Sequence, residues 1–250
     1  MLTDQVPGNV QGVLDRLAGP EASFVTGLVD AAALDRPVII DSASVMAAVW
    51  PYTWLLGRIG TGGIKLTSAG YLPPQVVLAA VSELGWEKEW PGAHNREYHT
   101  LPVLELRLSA RRMGLVRTHK GVLLRTALGT RLGYDPGQLW WYIAGRLPEA
   151  RSDAERDAGL LLLLAVASGT PLDMQSADDL VRRGMMALGW RDATTKLALG
   201  QWQAFEAARG TWECLRRLGA IPETQFGQPP SPPRPAAAAL ARAALRGPAF

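Results

Sequence analysis

One cysteine, Cys214, stands among the 250 residues, so no disulfide can form within the chain. Its neighbours Trp212, Leu215 and Leu218 mark a buried thiol, and a reducing compartment is expected. Long apolar runs are lacking too. The most apolar stretch, GLLLLLAVASG at 159–169, is about half the length of a membrane span and reads as a buried helix. The opening MLTDQVPGN has neither a basic region nor an apolar run, so it does not read as a secretory signal. A soluble, cytoplasmic protein without a membrane partner is the expectation. Histidines number three: His94 and His99 lie in one loop near Glu97, and His119 is far along the chain. With a single cysteine and no closely spaced ligand pair, neither a metal nor another cofactor is expected. Thr61-Gly62-Gly63 before Ile64-Lys65 lacks the spacing of a nucleotide-binding glycine motif, and no serine occupies an elbow motif. No catalytic residue can be assigned, and an enzyme is not expected.

Apolar residues make up 48% of the chain and charged residues 20%, enough to bury one large core or two smaller ones. The net charge is only +3, with a pI near 9.2, which permits a polyanionic partner without requiring one. The distribution is less even than the total. From Arg107 to Arg131 there are seven Lys/Arg and His119, with no Asp or Glu.

Residues 1–40 read as a segment of short helices broken at Pro20 and Pro37, with Val10, Leu14 and Leu17 on one face. Asp41, Ser42 or Ser44 can cap a helix through Val45, Val49 and Leu56, which Pro51 should kink or displace. GTGG at 60–63 ends it, and the alternation in IKLT (64–67) predicts a short strand. Pro73 and Pro74 open a helix carrying Val76, Val77, Ala80, Val81 and Leu84, closed by Gly85. A loop, GWEKEWPGAHNREYHT, leads to a helix over about 102–113, with Val103, Leu106, Ala110 and Met113 on one stripe. LVRT (115–118) and VLLR (122–125) then flank His119-Lys120-Gly121, which predicts a hairpin.

Helix, short strand, helix, helix, hairpin is the element order of a winged-helix domain. Leu115 to Leu132, with its Gly-Leu opening, glycine-tipped turn and then Leu124, Thr126, Gly129 and Leu132, resembles the wing of MarR-like winged-helix proteins. GGIKLTSAGYLPP is also similar to a region of uncharacterised actinobacterial plasmid-ORF-like or transposon-associated proteins, a resemblance that implies no activity. Two short motifs also recur: Leu84-Gly85-Trp86 returns as Leu188-Gly189-Trp190, and Arg111-Arg112-Met113-Gly114 as Arg216-Arg217-Leu218-Gly219. A period of about a hundred residues reads as a duplicated domain. The expected fold is therefore mainly α with small β-hairpins, in two tandem winged-helix-like domains. An N-terminal segment (1–40) precedes the first (41–148). The second (149–250) has a degraded wing, ETQFGQPPSPPRP, and a C-terminal helix at 236–246.

The winged-helix resemblance implies binding of double-stranded DNA, in a transcription-regulatory or mobile-element-associated role. The residues it points to are Arg107, Arg111 and Arg112 on the helix, Arg117, His119 and Lys120 on or beside the wing tip, and Arg125 on its return strand. Guanidinium groups suit the task because they are permanently charged and forked for phosphate. Leu104 and Leu108 interrupt that helix face, and the loop before the helix is long for a helix-turn-helix. These favour an alternative, a non-catalytic interaction or dimerisation module, in which both leucines face solvent in the monomer and are covered in a homodimer or by another protein. Most of the nine tryptophans read as core anchors, with Trp86 and Trp90 the pair expected to be exposed.

Overall fold

The computed structural model describes residues 6–87, 95–200, 202–221 and 229–247. Among them are eleven α-helices and three strands. In chain order these are α1 (Gly8–Leu14), α2 (Ala22–Ala32), α3 (Ser42–Ile59), β1 (Ile64–Lys65) and α4 (Pro74–Glu83). A 3-10 turn (Glu97–His99) leads to α5 (Leu101–Arg112), β2 (Val116–His119), β3 (Val122–Arg125), α6 (Ala127–Leu132) and α7 (Pro136–Ala144). Then come α8 (Asp153–Ala167), α9 (Met174–Ala187), α10 (Gln203–Arg217) and α11 (Pro235–Arg246). The chain divides into two compact units, 45–140 and 1–44 together with 141–250.

In the 45–140 unit the expected order of elements is observed. The cap of α3 is Asp41, whose carboxylate accepts the Ser44 N–H (2.9 Å) and the Ser44 hydroxyl (2.7 Å). Those two bonds hold the Asp41 carboxyl below its ordinary range. The helix runs on through Pro51, which removes one backbone donor. Its inner face, with Val49, Tyr52, Leu55, Leu56 and Ile59, is buried, and the Tyr52 hydroxyl lies 2.8 Å from Ser109 Oγ of α5. Trp54 donates to Glu83 of α4 at 2.7 Å.

β1, β3 and β2 form one antiparallel sheet in that order, with β3 central. Ile64 pairs with Leu123 and Lys65 with Val122. On the other side, Arg117 pairs with Leu124 and His119 with Val122. The hairpin closes in two residues, Lys120 (φ 47°) and Gly121 (φ 73°), both left-handed, as the tight turns that match strand twist require. Behind it, Thr126 caps α6: its hydroxyl accepts the Gly129 N–H and donates to Gly114 and Leu115 carbonyls. Gly129 lies so close to this turn that a Cβ there would sit 1.9 Å from the Leu115 carbonyl oxygen.

The other unit is built on α8, whose LLLLL run is buried all round because α2, α9, α10 and α11 all pack on it. Glycines set two of the approaches. A Cβ on Gly159 would meet Pro148 and the Thr211 hydroxyl, and one on Gly184 would meet Leu161. Residues 6–44 group with this unit. Arg16 makes two bonds to the buried carboxylate of Asp157 (2.8 and 2.6 Å), which also accepts the Trp190 indole N–H (2.8 Å). Ala18 donates to the Ala187 carbonyl, Arg183 pairs with Glu21, and Arg246 binds the carbonyls of Leu34 and Arg36.

A duplicated winged domain is not seen. Residues 141–250 carry no strand among the described ones; of the expected degraded wing, 223–228 lies outside the described residues and 229–235 carries no strand. The repeated LGW and RRxG signals have a local cause. α4, α5, α9 and α10 all end in the same way, with a left-handed glycine (Gly85, Gly114, Gly189, Gly219) after the last helical residue. The next N–H then bonds five residues back: Trp86 to Val81, Leu115 to Ala110, Trp190 to Met185 and Ala220 to Leu215. This is the Schellman stop, which selects glycine followed by an apolar residue wherever a helix must end. α8 ends likewise at Gly169 without sharing either motif.

Candidate nucleic-acid interface

The charge is divided unequally between the two units. Residues 45–140 hold eleven Lys/Arg against six Asp/Glu, whereas the remainder holds fifteen against seventeen. Pairing differs as well. In the larger unit, Arg156, Arg182, Arg209 and Arg216 each pair with a carboxylate three residues before them on the same helix.

The residues predicted for the site separate into four groups. Arg107 is a correction: it is buried, with Nε 2.5 Å and Nη2 3.0 Å from the two oxygens of Glu97, and it presents no charge to a partner. Arg112 is half-buried and lies 3.7 Å from Glu105. Arg125 points away from the outer sheet surface. Alternation along β3 places it with Leu123 on the inner side, opposite buried Val116, and its guanidinium lies over the Tyr134 ring at 5.9 Å. Arg111, Arg117, His119 and Lys120 are exposed, and none of the four has an ion-pair partner among the described residues.

Sheet register brings Arg117 and His119 onto one face. Directly paired residues share a face, so Lys65, Val122 and His119 form one row across the three strands. Leu124 and Arg117, two residues along, share that face. Lys65 was missed in the sequence. It is exposed, has no ion pair among the described residues, and joins the hairpin only through the β1–β3 pairing. The outward position of Lys65 in the IKLT alternation was the available signal.

The outer face of α5 is mainly apolar over its first two turns, before Arg111. Leu101 is exposed, while Leu104, Glu105 and Leu108 are partly exposed beside it. Of the tryptophans expected in the core, Trp54, Trp140 and Trp212 are buried, whereas Trp50, Trp141 and Trp202 are exposed. Trp86 is also buried, against expectation, and its backbone N–H closes the stop of α4; Trp90 and His94 lie outside the described residues. Among the described residues no His, Cys, Asp and Glu group is placed to hold a metal ion. No helix among them is long and apolar enough to cross a membrane.

Lys120 holds a left-handed conformation that costs an L-residue with a Cβ roughly 1–2 kcal/mol. Asparagine tolerates that region better. Lys120→Asn is therefore expected to leave the thermal midpoint unchanged or raised while removing one charge from the tip. A clear fall in the midpoint, read by circular dichroism, would show that the lysine side chain is itself needed for the turn.

Comparison of the chain with protein-family models, with curated proteins and with solved structures finds no match.

Proposed function

We propose that this chain binds double-stranded DNA through a winged-helix unit, residues 45–140, led by its hairpin. The observation that carries the reading is the exposed β2–β3 tip, where Arg117, His119 and Lys120 have no carboxylate partner among the described residues. The α-β-α-α-β-β order and the β1-β3-β2 sheet support it, as does the excess of positive charge in this unit. In winged helices the hairpin reaches backbone phosphates or the minor groove beside a helix in the major groove. Here Leu101, Leu104 and Leu108 occupy the outer face of that helix, which offers few donors to base edges. Affinity then comes mainly from phosphate contacts, with little sequence preference. This fits an architectural role, transcription-regulatory or mobile-element-associated, better than strict operator reading.

With Lys65, Arg111, Arg117 and Lys120 as the contributing cations, log affinity should fall against log salt with a slope of about −3 to −4. Fluorescence anisotropy with a random duplex at several salt concentrations measures it. A slope near zero contradicts phosphate-led binding. The same leucines favour a second reading, in which α5 is covered by another protein and DNA plays no part. That reading gains if the chain ignores duplex at low salt and its sedimentation shows a dimer.

A further inference from the structure

Beside the proposed interface, the described end of the loop before α5 and the β1–α4 connection enclose an open cavity of about 500 Å³. That lies within the roughly 300–1,000 Å³ usual for small-molecule sites. Its walls are aromatic: the rings of Tyr71 and Tyr98 meet edge to face at 6.0 Å, and those of Tyr98 and His99 at 5.1 Å. Leu72 gives it a buried apolar floor, and Tyr98 is largely exposed.

We infer that this cavity is a binding site for a small planar aromatic anion. The charge around it selects the sign. Glu97 borders the space, but Arg107 occupies both of its oxygens and the Leu72 N–H donates to one of them at 2.8 Å. That carboxylate is compensated and neither attracts a cation nor repels an anion. Arg96, also in the lining, has no ion-pair partner among the described residues, and the Asn95 amide has no hydrogen-bond partner there. A flat ring stacks on Tyr98, and its anionic substituent meets the Arg96 guanidinium, where a charge-assisted bond is strong. The site does not depend on DNA binding.

The test uses the full chain with 2-naphthoate and its neutral counterpart 2-naphthamide, followed by ligand fluorescence. The naphthoate is expected to bind saturably at one site and the amide about tenfold more weakly, the equivalent of one charge-assisted bond. Arg96→Ala should remove that difference, and Tyr98→Ala should weaken both ligands; both side chains are exposed, so circular dichroism melting should be unchanged. Absence of saturable naphthoate binding overturns the inference, as does equal affinity for the two compounds or binding that survives both substitutions.

Discussion

Replacing Arg107 with methionine is expected to destabilise the 45–140 unit by about 3–5 kcal/mol. Methionine fills a similar volume, so the loss is chiefly electrostatic. Glu97 is fully buried and would keep only the Leu72 N–H as a donor to its carboxyl group. The pair also joins three parts of the unit, since Glu97 lies in the 3-10 turn, Arg107 on α5, and Leu72 just before α4. Its failure should therefore expose the amides of α5 to hydrogen exchange before those of 141–250. The double variant Glu97→Gln with Arg107→Met removes the stranded charge and should recover much of the loss. A cost below about 1 kcal/mol for the single change would mean that the pair is solvated and that Arg107 is available outside.

Gly129→Ala should be comparably severe, at or above about 3 kcal/mol, the upper end for overpacking. The obstacle is backbone, and that backbone is already held. The Leu115 carbonyl oxygen accepts from the Thr126 N–H (3.0 Å) and hydroxyl (3.1 Å), and Leu115 itself is completely buried. To admit a methyl group, α6 must move off the base of the hairpin, and DNA binding should fail together with folding. Gly57→Ala gives the contrast. Gly57 lies within α3 with open space around its Cβ position, so alanine there should stabilise by about 0.5–1 kcal/mol. Guanidinium unfolding of each variant decides the matter, and similar midpoints for the two would remove the argument from close approach.

Local signals carried most of the first unit. The proline-led start of α4, the stripe on α5 and the Lys-Gly turn each depend on residues a few positions apart, and each was legible. What was missed depends on distant contacts. Lys65 meets the hairpin only through strand pairing across more than fifty residues. The N-terminal helices find α8 through Arg16 and Asp157, which no periodicity links. Arg107 is a different case, because the signal existed. It lies four residues after Val103 and three before Ala110, within the arc that α5 buries, and its charge drew attention away from its position. No duplication is seen, and the repeated LGW and RRxG motifs coincide with a shared way of stopping a helix.

The central claim is that the hairpin tip grips duplex DNA, and the double variant Arg117→Ala with Lys120→Asn addresses it most directly. Asparagine preserves the turn and alanine keeps the strand, so the melting curve should match the parent. Titrated with random duplex at low salt, the variant is predicted to bind at least about tenfold more weakly, with a salt slope shallower by about two. Equal affinity and an unchanged slope in a folded variant would contradict the account.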